Sequence, residues 1–322
     1  MSPSESPAAP APAPALFVVT GAGPVGWTVA EQLAAAGHRV RVLTRSGSGP
    51  DHPRVEREAV DVSDPAQLGG LFRGAKAVFH CIHGSQYSAR TWAEELPRAE
   101  ATVLSAAGEA GAVVVFPESL YSYSEPGRPM TEEGPREARG GKRGIRTDLL
   151  KARAASATDT VSVVASDFFG PRVRTSHAGA RMVKPVLAGK PLVVIGNPGL
   201  PHSFTYVPDL AAAMIRAAQD PGLWNRVWHA PTGHALSQRK IAEAFAAAAG
   251  ARTPRVGGIP GWVLRTMAVV SPGARELAET VYQFEHPFVL DSSASEAALG
   301  LRPAPIQDAA AATVAWWGVQ EQ

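Results

Sequence analysis

Residues 16–26 read LFVVTGAGPVG. Leu16–Thr20 is short and continuously apolar, as expected of a strand buried on both faces. Gly21, Gly23 and Gly26 follow as G-x-G-x-x-G. Over Pro24–Ala36, Val25, Val29 and Leu33 recur four apart, one apolar stripe along a helix, with Gly37 placed to stop it. Each glycine has a task. Gly21 permits a tight turn, Gly23 lets backbone approach a pyrophosphate, and Gly26 lets helix and strand pack closely. Pro24 and Val25 fall in the first helical turn, whose free N–H groups and positive dipole suit a phosphate. A G-x-G-x-x-G that follows a buried strand and opens an amphipathic helix is a dinucleotide-binding signal.

Outward from this unit the pattern repeats. Arg39–Leu43, Val55–Val62, Lys76–Ile82, Ala112–Phe116 and Thr160–Ala165 read as further strands, with helical segments between most of them. That rhythm predicts an α/β fold of Rossmann type, a doubly wound parallel sheet covered by helices on both faces. After Gly170 the texture changes. Ala-rich helices (Asp209–Ala218, Gln238–Ala249) and isolated short strands (Pro191–Ile195, Arg226–Trp228) suggest a smaller C-terminal α/β substrate-binding region. The expected division is a disordered Pro/Ala-rich tail over 1–14, a nucleotide-binding domain over 15–170, and a mainly substrate-binding region over 171–322. Some segments of the last are expected to return to the core. Ser124–Gly144, rich in Gly, Pro and charge, reads as a long surface loop shaping a pocket.

The second strand runs out at Thr44-Arg45-Ser46. A site for NAD(H) commonly places a carboxylate near there for the ribose hydroxyls. Here a guanidinium would instead attract a 2′-phosphate, with Thr44 and Ser46 as hydroxyl donors. NADP(H) is therefore expected over NAD(H). Asp61 and Val62, after the third strand, are suited to the adenine amino group and ring.

At this point the chain resembles the extended or atypical short-chain dehydrogenase/reductase superfamily, in its NAD-dependent epimerase/dehydratase branch. The resemblance rests on TGAGPVG, VLTR, DVSD, FHCIHG, FPESLYSYS, SDFFGP, SFTYVPDLA and WHAPTGHALS. It implies that His80 and Cys81 lie near the cofactor and that Phe168 and Phe169 border the nicotinamide. It places Tyr206 and Asp209 at the hinge between cofactor and substrate regions. It also implies a Ser/Thr after the fifth strand, met by Ser119, and a Tyr-x-x-x-Lys some twenty residues on. That motif is missing. Lys142 and Arg146 stand in the two places, or Arg143 and Thr147 with a one-residue slip.

The missing tyrosine would have supplied general acid–base help, typically worth about 10²–10⁴-fold; the redox chemistry belongs to the cofactor. The candidates left are Ser119 to orient a substrate oxygen, with Tyr121, Tyr123 or Lys142 as the acid. Desolvation could bring the Lys142 pKa toward neutrality. The favoured function is hydride transfer to or from a small organic carbonyl, imine or enone. An epimerase, dehydratase or isomerase with internally recycled nicotinamide is the second reading, and a non-catalytic NADP(H)-binding regulator the third.

Composition excludes other classes. Over 322 residues Lys plus Arg number 31 against 29 for Asp plus Glu, a net charge of +2 that gives no electrostatic case for nucleic acid or an anionic membrane. No apolar run approaches the roughly 20 residues of a membrane span. One cysteine, Cys81, permits neither an internal disulfide nor a cysteine metal cluster, and no metal is expected. A reducing cytoplasm fits that count. The expected partner is a small-molecule substrate. Gly261–Phe284 carries apolar residues at helical spacing, with Val263, Leu264, Met267 and Val270 on one face and Leu277, Val281 and Phe284 on another. These could line the pocket or form a homodimer seam.

Overall fold

A computed structural model describes residues 14–320, so all of the expected tail except Pro14 lies outside the described residues. In chain order the strands are β1 (Leu16–Thr20), β2 (Arg39–Thr44), β3 (Val55–Ala59), β4 (Ala75–His80), β5 (Val113–Ser119) and β6 (Thr160–Ala165). They continue with β7 (Asp167–Phe169), β8 (Leu192–Ile195), β9 (Phe204–Tyr206), β10 (Arg226–His229) and β11 (Val256–Ile259). The helices are α1 (Pro24–Ala35), α2 (Ala89–Glu109), α3 (Gly141–Ala154), α4 (Ala180–Leu187) and α5 (Val207–Ala218). After them come α6 (Gln238–Ala248), α7 (Gly261–Met267), α8 (Pro272–Ala278), α9 (Ser293–Leu299) and α10 (Ile306–Gln320).

Seven strands form one parallel sheet in the order β3-β2-β1-β4-β5-β6-β10. Strand side chains alternate faces, and the core divides accordingly. Phe17, Val19, Val42, Phe79 and Val115 pack with α1 and α5, whereas Val18, Val78, Val114 and Phe116 pack on the α2 face against Val103, Leu104 and Ala107. This two-sided burial explains why the strands read as unbroken apolar runs. Chain order reverses between β1 and β4, and ligands of open α/β sheets bind at such a switch point.

Three expectations need correction. Residues 226–228, read as an isolated strand of the smaller region, instead form β10 and close the main sheet beside β6, with Trp228 opposite Val163. Four residues carry too little pattern to reveal a sheet partner some sixty positions away. The loop expected over 124–144 ends early, because α3 begins at Gly141. Its remainder is tied down, with Met130 N–H donating to the Val289 carbonyl at 2.8 Å. The third strand stops at Ala59, short of Val62, which frees Asp61 and Val62 to turn toward the β1 end.

The smaller region is built on a second apolar cluster, in which Met182 and Val183 of α4 meet Phe245 of α6, Ala310 and Trp317 of α10, and Phe169. β8 pairs with β11 and β7 with β9 at its edge. Among the described residues no helix is long and apolar enough to cross a membrane.

Candidate active site

The glycine turn sits where β1 meets α1. Gly21 has φ +88°, a left-handed conformation that favours glycine, and its N–H donates to the Leu43 carbonyl at 2.9 Å. A Cβ at Gly26 would lie 2.0 Å from the Gly21 carbonyl oxygen, so only glycine lets the helix come this close. Gly23 behaves differently. A Cβ there would meet nothing within 4 Å, and the residue lines an open cleft. α1 has no capping side chain and no acid in its first turn, so its leading N–H groups stay available. A cradle of glycine backbone with open space in front fits the pyrophosphate of a dinucleotide.

That cleft has a volume of about 770 Å³ and is walled by Gly21, Gly23, Thr44, Arg45, Ser46, Asp61, Val62, Cys81, Ile82, Leu96 and Ala99 among others. Val62, Ile82, Leu96 and Ala99 give it apolar sides suited to a planar ring. Asp61 accepts hydrogen bonds from the hydroxyl and N–H of Ser63 at 2.7 and 3.0 Å, which hold its carboxyl below the usual range. The sequence-derived residues Thr44, Arg45, Ser46, Asp61, Val62 and Cys81 therefore converge on one wall system. Burial pushes the Cys81 thiol up, so it is an inert packing group here.

His80 does not join them. Its side chain is 3% exposed and turned into the core, where Nδ1 meets the Thr20 hydroxyl at 2.7 Å and the ring lies edge-on to Phe116. Burial lowers its pKa to about 4, so it is neutral. The alternation that turns Cys81 toward the cleft turns His80 away. Phe169 is likewise a core residue, packed against Tyr206 and Phe245, whereas Phe168 is only half-buried.

Beyond the cleft, Ser119 ends β5 and Tyr121 follows in a short 3-10 turn. The Tyr121 hydroxyl lies 2.8 Å from that of Tyr87, and Lys142 Nζ stands 4.6 Å from the Tyr87 ring centre. Burial raises the Tyr121 phenol well above its ordinary value. Tyr87 is also raised by burial, while its hydrogen bonds to Thr280 and Tyr121 and the charge of Lys142 pull downward. Trp92 stacks on Tyr121 at 6.2 Å and meets His83 and Tyr87 edge-on. The hydroxyl pair is thus held by an aromatic wall.

Lys142 is fully buried and bridges to two carboxylates of the second half, Glu276 and, at 2.8 Å, Glu279. Desolvation alone would depress its pKa, as expected from the sequence. Hydrogen bonds that it donates to Glu276 and Glu279 outweigh that and hold it above the ordinary value. Lys142 is therefore a fixed cation and not a neutral amine. Tyr123 is also removed from the acid candidates. Its hydroxyl is 2.6 Å from His229 Nε2 and donates to the Thr131 carbonyl at 3.0 Å, and burial pushes its pKa up to about 12. It fastens the 124–140 loop to β10.

A buried ion cluster supports this floor. Arg153 of α3 donates to both oxygens of Glu100 at 2.6 and 2.8 Å, and to Glu118 at 2.8 Å and Ser162 at 3.0 Å. The other Glu118 oxygen accepts the Ser119 N–H at 2.7 Å and faces Arg146 at 3.5 Å. The cluster fixes Ser119 relative to the helix that carries Lys142. Asp167 of β7 pairs with His202 at 2.8 Å, and burial of this carboxyl is outweighed by His177 and His202, which keep it ionised.

Sequence reasoning missed Tyr87, Asp167, Glu276 and Glu279. Tyr87 sits in the irregular stretch 81–88, which has no periodicity to mark it. The two glutamates are three apart on one short helical stretch, a same-face signal that was readable, but their target lies over 130 residues away.

A cleft at the carboxyl end of β1, opened by a glycine turn at a helix start and walled for adenosine, defines a dinucleotide-binding α/β protein. The chain matches the model of the NAD dependent epimerase/dehydratase family over residues 17–226 and belongs to that family, whose members are nicotinamide-dependent enzymes. No curated protein matches it in sequence. Its fold is shared with the enzyme WbmH of Bordetella bronchiseptica in complex with NAD+, with a TM-score of 0.73 and 19% identity over 94% of this chain and 98% of that one. It is shared with the UDP-glucose 4-epimerase of Thermotoga maritima with UDP-glucose, at 0.74 and 17% over 95% and 100%. The dTDP-glucose 4,6-dehydratase DesIV of Streptomyces venezuelae, a double mutant with NAD and DAU bound, matches at 0.73 and 20% over 94% and 96%.

Proposed function

We propose that the protein is an NADP(H)-dependent oxidoreductase that moves hydride to or from a small organic carbonyl, imine or enone. Arg45 at the end of β2, lining the adenosine end of the cleft where a ribose-binding carboxylate would favour NAD(H), carries the cofactor choice. The nicotinamide, when bound, supplies the hydride. The chain's own task is to hold the substrate and deliver a proton to its heteroatom. Ser119, at the end of β5, would orient that atom. The hydroxyls of Tyr87 and Tyr121, 2.8 Å apart, form the proton donor. Their raised pKa values keep both protonated at neutral pH, and the charge of Lys142 over the Tyr87 ring favours loss of the proton from Tyr87.

The enzyme would work in the cytoplasm, where Cys81 stays reduced. A homodimer would cover part of the apolar surface after β11. There the expected face divides, with Leu264 buried, Val263 half-buried and Met267 and Val270 exposed, and Trp262 and Val269 beside it are exposed as well.

NADPH oxidation against a panel of carbonyls, imines and enones tests the reading. Steady turnover is expected, falling about a hundredfold or more when Tyr87→Phe and Tyr121→Phe are combined. Tight NADPH binding with no turnover across the panel would favour the regulator instead. Turnover that survives the double replacement would remove the tyrosines from the mechanism.

A further inference from the structure

Two arginines reach the adenosine end of the cleft from different walls. Arg45 follows β2, and Arg98 lies on α2, on the side that also contributes Leu96 and Ala99. The acids around them are engaged elsewhere. Asp61 accepts from Ser63, Glu95 accepts the Ser85 N–H at 2.7 Å, and Glu94 faces Arg90 at 3.9 Å. Among the described residues neither the Arg45 nor the Arg98 guanidinium makes a hydrogen bond or ion pair. Both nonetheless act electrostatically on Asp61, and Arg45 also acts on Glu95 across the cleft. The two cations therefore share one space with unspent donors.

We propose that Arg45 and Arg98 together grip the 2′-phosphate of NADP(H), which makes Arg98 a second determinant of cofactor choice. This rests on the NADP(H) reading above. A phosphate monoester carries between about one and a half and two negative charges at neutral pH. Asp61, Glu94 and Glu95 line the same cleft and repel it. A single arginine would meet that repulsion with one charge. A second, from the facing helix, restores the balance and adds another planar fork of N–H donors matched to phosphate oxygens. The open cleft leaves both long side chains free to close on the group.

The test uses fragments that report the adenosine end alone. Wild-type protein, Arg45→Met and Arg98→Met are titrated calorimetrically with 2′,5′-ADP and with 5′-AMP. Both arginines are exposed, so the fold is retained. Wild type is expected to bind 2′,5′-ADP at least about tenfold more tightly than 5′-AMP. Each variant is expected to lose about tenfold on 2′,5′-ADP and to keep its affinity for 5′-AMP. If Arg45→Met loses the preference and Arg98→Met keeps it, the role of Arg98 is overturned while the NADP(H) reading stands. Equal weakening of both ligands in Arg98→Met places that residue on the adenine and also overturns it. No preference in wild type overturns the NADP(H) reading itself.

Discussion

Gly23→Val is expected to weaken NADP(H) binding by about a hundredfold or more, equivalent to about 2.7 kcal/mol, while the protein unfolds at the parent temperature. The two halves of this result have separate causes. The backbone at Gly23 is extended, with φ −70°, so valine can adopt it, and a Cβ there meets no atom within 4 Å. Folding is thus indifferent to the side chain. The same empty space is where the pyrophosphate must touch the backbone, and three extra carbons occupy it. Gly26→Ala provides the contrast. Its Cβ would sit 2.0 Å from the Gly21 carbonyl, so the turn and helix must separate, and both stability and binding are expected to fall. Circular dichroism melts alongside fluorescence titration with NADPH distinguish the cases. A Gly23→Val protein that binds like its parent would remove the glycine turn from the site.

The second large effect lies under the site. Glu118→Ala is expected to cost about 3–5 kcal/mol of folding stability, measured by urea denaturation. Glu118 is 2% exposed and shared by Arg153, Arg146 and the Ser119 N–H. Its loss leaves Arg153 with Glu100 as its one carboxylate partner among the described residues and takes the carboxylate facing Arg146 away. The Arg146 Nε is already without a partner among the described residues. Uncompensated buried charge is the reason that breaking such a cluster is expensive, whatever the cluster contributes intact. The site should loosen as well, because Ser119 and the α3 helix lose their common anchor. A cost below about 1 kcal/mol would mean that water reaches these groups and that the cluster does not hold the floor.

The parts legible in the sequence are those encoded by neighbours. β1, its glycine turn and α1 are contiguous, so period, capping and turn chemistry agree within twenty residues. β6 was readable to the residue for the same reason, being a doubly buried run bounded by polar segments. Part of this cleft's lining was also readable, because Arg45, Ser46, Asp61, Val62 and Cys81 lie just past strand ends, whereas Leu96, Arg98 and Ala99 line it from within α2 and carry no such mark. The reacting end was not. Lys142 stands where a sequence pattern calls for tyrosine, but its ionisation is set by Glu276 and Glu279, brought by a segment far along the chain. Tyr121 and Tyr123 are two apart on one short turn and look equivalent in sequence. The turn sends one hydroxyl to Tyr87 and the other to His229. The ion cluster joins residues 35 and 53 positions apart, and single charges at such separations leave no periodic trace.

Calorimetric titration of the purified wild-type chain with NADP+ and with NAD+ tests the central claim most directly. The account predicts one saturable site per chain, tighter for NADP+. Absence of binding for both nucleotides would contradict it, since the glycine turn and the walls around Arg45 would then hold no dinucleotide.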